Sequence, residues 1–142
     1  FAHEPVMAML SYSNFGADKQ GSPLKVHEAI DFLHKTYPDM VVDGEMQVNF
    51  ALDKKLRDDM YPFNKLKGQD VNTLIFPNLS SANSAYKLLD TLGITETIGP
   101  IQMGLNKPIH FTDVESSTRD IVNLTTVAVV DAIVQEQIEK EG

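Results

Sequence analysis

Hydrophobic and polar positions along the chain alternate between short apolar runs and longer amphipathic stretches. Val6–Tyr12 (VMAMLSY) is apolar without a helical period and is closed by the polar stretch Ser13–Gly21. This predicts a buried strand running into a loop. Met40–Val42, before Asp43-Gly44, and Val71–Phe76, before Pro77, predict two further buried strands. Thr95–Ile101 and Ile109–Phe111 predict short ones.

Between the runs the period changes. Ser22-Pro23 supplies an N-cap and a proline for the first helical position, and Leu24, Val26, Ala29, Ile30, Phe32 and Leu33 form an apolar stripe. A helix to about Tyr37 is predicted. Asp53–Met60 predicts an exposed helix ended by Pro62. Ser80–Leu92 predicts another, with Ala82, Ala85, Leu88, Leu89 and Leu92 inward and Gly93 at its end. The last helix starts near Ser117-Thr118 and runs to about Lys140, with apolar residues from Ile121 to Val134 around nearly its whole circumference. Such a helix needs cover on several sides. One small sheet cannot give that, so Val127, Val130 and Val134 are expected at a contact with a missing domain or another copy, as a homo-oligomer built through this helix. Strands alternating with helices predict an α/β fold with a mostly parallel sheet, whose function sits in loops at strand ends.

Composition narrows the chemistry. A length of 142 residues suits one domain, 1–142. Phe1–Pro5 has neither a basic nor an apolar leader region, so the start is expected to be the cut edge of a longer chain. No uninterrupted apolar run approaches the ~20 residues of a membrane span, so no membrane role is expected. The absence of cysteine removes thiolate chemistry and suits a cytoplasmic protein. A net charge of −8 repels nucleic acid, and the nearest basic cluster, Lys54, Lys55, Arg57, Lys65 and Lys67, is broken by Asp58 and Asp59.

His27, Asp31 and His34 share a helix face at metal-ligand spacing, yet they lie on its polar side, and a solvated face is the better reading. His110 follows a predicted strand and is left without a role. No G-x-G-x-x-G and no P-loop occurs, so no dinucleotide site is expected in this segment.

Six segments, in order and spacing, resemble the phosphate acetyl/butyryltransferase family: Leu10–Gly16 (LSYSNFG), Asp43–Gln47 (DGEMQ), Ile75–Leu79 (IFPNL), Ala82–Lys87 (ANSAYK), Ile98–Ile101 (IGPI) and Asp120–Val122 (DIV). Tyr61–Gly68 (YPFNKLKG) and Lys107–His110 (KPIH) resemble the form fused to the C-terminus of bacterial hybrid NADP-dependent malic enzymes. The resemblance implies a three-layer αβα lobe of a two-lobed fold, with acyl-CoA between the lobes and the other lobe absent here. It also implies acetyl-CoA as an effector, missing N-terminal lobe and malic-enzyme domains, and NADP with a divalent Mg or Mn ion in the parent chain.

The ligand-lining residues implied are Tyr12, Ser13, Asn14, Gly16, Lys87, Gly99, Gln102, Met103, Lys107 and Asp120. Transacetylation needs a base, a donor and a cation in one cleft, and active relatives use an Asp, a Ser and an Arg. The Asp maps to Asp120, whose place in a first helical turn is also favoured by the helix dipole. The Ser-Arg pair falls at Asp113-Val114, and a further arginine at Thr91. The expectation is therefore a regulatory, acetyl-CoA-sensing domain without catalytic residues, the alternative being a working phosphate acetyl- or butyryltransferase.

Overall fold

The computed structural model describes residues 3–141. The chain divides into two compact units, Phe1–Leu88 and Leu89–Gly142, with the boundary in the last turns of one helix. In unit 1, β1 (Met7–Leu10) is followed by α1 (Gly21–Thr36), β2 (Val42–Met46), α2 (Val48–Leu52), α3 (Lys54–Met60), β3 (Thr73–Ile75) and α4 (Leu79–Thr91). Unit 2 carries α5 (Thr118–Glu141) after a long irregular stretch.

The three strands form one parallel sheet in the order β2-β1-β3. A parallel sheet needs crossover helices, and this α/β unit has them. Ala8 and Leu10 of β1, Met46, Ala51 and Leu66 make the buried core, and Val6, Phe15, Val41, Phe50, Val71, Leu74 and Phe76 pack on it. β2 and β3 lie on opposite sides of β1, so the strand order switches there, and such sheets place their crevice at the C-terminal end of the strands at that point.

Several boundaries differ from the pattern-based expectation, each for a local reason. The second strand is not Met40–Val42 but Val42–Met46, so Asp43, Gly44 and Glu45 are strand residues, all of them buried. β1 and β2 pair in register from Met7↔Val42 to Met9↔Gly44, then shift, so that Leu10 pairs with Met46 and Glu45 is left out of the ladder. Gly44 has a φ of 144°, and a Cβ there would lie 2.5 Å from the Met9 carbonyl oxygen. Only glycine fits that close approach.

α1 begins at Gly21, with Gln20 as an N-cap that makes no side-chain bond. Ser22-Pro23 are thus inside the helix, and Pro23 is buried where its missing N–H has no intrahelical partner to lose. Val26 and Ile30 are buried as expected, but Leu24 and Phe32 are exposed. α2 was not foreseen. Asp53 closes it and caps α3, accepting from the Leu56 amide at 2.9 Å. α4 starts one residue early because Asn78 caps it, accepting from the Ser81 amide at 2.9 Å, and none of its residues is buried. Neither Thr95–Ile101 nor Ile109–Phe111 is a strand, since neither finds a ladder partner among the described residues.

α5 matches its expected span. Leu124 is its buried residue, while Ile121, Val122, Val129, Val130, Ile133, Val134 and Ile138 are exposed. By length and composition α5 is apolar enough to cross a membrane, although charged and polar residues interrupt its apolar run. Core helices of soluble proteins share that composition.

Candidate functional site

The loop after β1 is built from its polar residues. Ser11 donates its amide to the Met46 carbonyl at 2.9 Å, which joins the loop to the end of β2. Asn14 accepts the Gln47 amide on Oδ1 at 2.8 Å, and Gln47 returns its side-chain amide to the Tyr12 carbonyl at 2.6 Å. Ser13, buried, accepts the Asp18 amide on Oγ at 2.9 Å. Phe15 and Gly16 turn with φ of 46° and 80°. The Tyr12 hydroxyl donates to Asp18 at 2.8 Å, and that bond raises its pKa, because the neutral phenol is the donor.

Glu45 stands at the centre of this arrangement and is fully buried. Its Oε1 accepts the Gly16 amide at 2.6 Å and faces Ser13 Oγ at 3.5 Å, while Oε2 meets His27 Nδ1 at 3.1 Å. Its backbone carbonyl, freed from the ladder, accepts the Phe15 amide at 2.7 Å. Burying a lone carboxylate costs several kcal/mol. Donors from the loop and a histidine from α1 offset that.

His27 therefore does not belong to a solvated face, and neither does His34, whose Nε2 lies 2.8 Å from the Val42 carbonyl. His27 and His34 face β2 because α1 packs on that strand, while Asp31 between them is exposed. Among the described residues no group of three or more His, Asp and Glu could hold a metal ion.

The segment after α3 is fastened to the same strand. Asp43 accepts the Lys65 amide at 2.6 Å, and Phe15 packs against Tyr61 and Phe63 with ring centroids 4.7 and 5.3 Å away. The basic cluster is no clamp. Arg57 is fully buried, donating to the carbonyls of Ala51 (3.2 Å), Leu66 (3.0 Å) and Gln69 (2.6 Å). Lys54 pairs with Asp70 at 2.8 Å, and Lys55 pairs with Asp59.

In unit 2, Gly99, Gln102, Met103 and Lys107 lie in the irregular stretch. Gln102 donates to the Met103 carbonyl at 3.3 Å, and Met103 is exposed. Lys107 pairs with Glu139 at 3.6 Å. Asp120 closes a capping box: Ser117 donates its amide (2.8 Å) and hydroxyl (2.6 Å) to Oδ2, and Ser117 Oγ accepts the Asp120 amide at 3.2 Å. The Ser117 hydroxyl, then its amide, hold the Asp120 carboxyl below the usual range. An S-x-x-D at the head of an apolar helix could have announced this box from sequence. Asp120 borders a cleft of about 280 Å³ with Asp90, Glu96, Thr97, Arg119 and Asn123. Arg119 is occupied by Glu96 at 2.6 Å. The Asp113-Val114 pair is exposed, Val114 completely.

Tyr12, Ser13, Asn14 and Gly16 are thus brought together in unit 1, and Lys87 lies exposed on α4 near the Tyr86 ring at 5.7 Å. Gly99, Gln102, Met103, Lys107 and Asp120 belong to unit 2. Among the residues expected to line a ligand, Asn14 Nδ2 has no bond and Lys87 has no carboxylate partner among the described residues. Both suit a ligand with carbonyl and phosphate oxygens. Glu45, His27 and Arg57 escaped the sequence-based site, since nothing local in the pattern marks a buried charge.

Comparison with known proteins agrees with this fold. The family described as Phosphate acetyl/butaryl transferase matches residues 1–129. An NADP-dependent malic enzyme of Salmonella typhimurium is 39% identical over 135 residues, which cover 93% of this chain and 17% of that protein. A phosphate acetyltransferase of Clostridium acetobutylicum is 37% identical over 129 residues, covering 91% of this chain and 38% of that protein. The crystal structure of a phosphotransacetylase from Streptococcus pyogenes superposes with a TM-score of 0.83 at 37% identity, over 92% of this chain and 40% of that one. The chain thus spans well under half the length of these relatives.

Proposed function

The chain belongs to the Phosphate acetyl/butaryl transferase family, and from that premise we propose that it is the regulatory, acetyl-CoA-sensing part of an NADP-dependent malic enzyme. In this reading the parent chain performs oxidative decarboxylation of malate with NADP and a Mg or Mn ion, in the cytoplasm. This segment catalyses nothing. Acetyl-CoA takes the loop Tyr12–Gly16, with Lys87 near its phosphates, and the exposed apolar side of α5 joins subunits.

The contrast between loop and helix head carries the reading. The loop after β1 is fully shaped, with Asn14 Nδ2 and Lys87 uncommitted. The residues that would transfer an acyl group are not equipped for it: Val114 offers no cation and Asp113 brings an anion. Asp120 is bonded to Ser117 with a depressed pKa, a weak base at neutral pH. Sensing needs only that ligand favour one conformational state, commonly by about 1–3 kcal/mol.

The test is inhibition of malate oxidation by acetyl-CoA in the full-length protein. Asn14→Trp should abolish inhibition and leave malate oxidation unchanged. Inhibition that survives removal of the chain from Phe1 onward sinks the proposal. A second reading, a working phosphate acetyltransferase, is favoured by the likeness to proteins of that name. Acetyl phosphate formed from acetyl-CoA and phosphate at about 10 per second, an ordinary enzyme rate, would establish it instead.

A further inference from the structure

We propose that Glu45 is a positioning residue for the acyl-CoA loop, with its two carboxylate oxygens divided between two tasks. Oε1 holds the loop, through the Gly16 amide at 2.6 Å and Ser13 Oγ at 3.5 Å; Oε2 is held by His27 of α1 at 3.1 Å. The inference rests on the reading of this loop as the acyl-CoA site and deepens it.

Three linked features converge on Glu45. The register shift between Met9 and Leu10 leaves it out of the β1–β2 ladder, and bulged residues are re-aimed in this way beside functional loops. Gly44 makes the shift sterically possible, as the Met9 carbonyl leaves no room for a Cβ. The freed Glu45 carbonyl then takes the Phe15 amide, so backbone and side chain of one residue hold consecutive loop amides, 15 and 16. Those two residues have the positive φ values that turn the loop.

His27 completes the arrangement. Its ring lies beside Gly16, with Cε1 3.8 Å from where a Cβ would stand. It is half-exposed while the carboxylate is sealed. The latch therefore ties β2, α1 and the loop that carries Asn14 together, and Asn14 Nδ2 has no bond among the described residues. A ligand meeting a loop already ordered avoids the cost of ordering it.

The experiment uses the full-length protein, with acetyl-CoA affinity from calorimetry and hydrogen–deuterium exchange of peptides covering residues 12–18. Glu45→Ala should speed exchange in those peptides and weaken acetyl-CoA binding by at least about tenfold, the scale of lost preorganisation. Glu45→Gln keeps an acceptor at Oε1 and should restore both to within about threefold of the wild type. If Glu45→Ala does not fold, His27→Ala, at the half-exposed partner, should shift both readouts in the same direction. Faster exchange with unchanged affinity overturns the inference, and so does failure of Glu45→Gln to restore binding in a folded protein. A wild type that does not bind acetyl-CoA overturns it together with the functional reading; a wild type that binds, beside a folded variant that binds equally well, overturns it alone.

Discussion

Unit 1 and unit 2 solve the burial problem differently. Unit 1 closes on itself: Ala8, Leu10, Val26, Ile30, Val42, Met46, Ala51 and Leu66 are buried, and its buried polar residues Ser13, Asp43, Glu45 and Arg57 hold backbone groups of neighbouring loops. Unit 2 has a 24-residue helix with Leu124 as its buried apolar residue. Its bonds are mostly local, such as the Ser117–Asp120 box and the Arg119–Glu96 pair. In unit 1, β1 and β2 find their cover in α1, α2 and the segment around Leu66, all from the same stretch of chain. A lone helix apolar on all sides has nothing within unit 2 large enough to do so.

Mutations should separate the two units, and the largest effect belongs to Arg57. Arg57→Ala leaves the carbonyls of Ala51, Leu66 and Gln69 without their buried donor, and should cost about 3–5 kcal/mol by urea denaturation. A cost below about 1 kcal/mol would mean that water replaces the guanidinium and that the unit 1 core is looser than described. Met46→Ala, in the fully buried strand, should cost about 2–5 kcal/mol by the same measurement.

Unit 2 should answer more weakly. Ser117→Ala removes one half of the capping box and should cost about 1 kcal/mol, with fraying of the head of α5 visible in its amide exchange. Ile133→Ala should change the stability of this chain by less than about 0.5 kcal/mol, as exposed substitutions do. In the full-length protein Val130→Glu should lower the oligomeric state in sedimentation. If Ile133→Ala costs ~2 kcal/mol in this chain, α5 is covered within it and the contrast fails.

The smallest effect is a pH dependence. The Gly68 amide, foremost, and Asn64 and Arg57 hold the Asp58 carboxyl below its usual range. An unfolded Asp titrates near about 3.9. With the folded value lower, its stabilisation is fully present above that pH and is lost as pH falls through the folded value. Asp58→Asn should flatten the acid limb of stability below about pH 4 without changing α5.

The sequence by itself determined the family and the order of most elements, all but α2 and the two short strands that did not form. Apolar runs, helical periods, Pro62, Gly93 and the six quoted segments are local signals, and β1, α1, α3, β3, α4 and α5 appear where those signals put them to within a few residues. The loop Tyr12–Gly16 was legible for the same reason, as a polar stretch closing a strand. The tertiary structure alone decided what the charged residues do. Asp43-Gly44 looked like the end of a strand and lies within one, because pairing with β1 supplies the ladder that the pattern cannot show. Arg57 looked like a surface cation and is buried, because the carbonyls it satisfies come from α2 and from residues 66 and 69. His27 looked solvated and is bound to Glu45, because α1 lies on β2. A period is written in neighbouring residues, whereas the partner of a buried charge arrives from a distant part of the chain only once the sheet has closed.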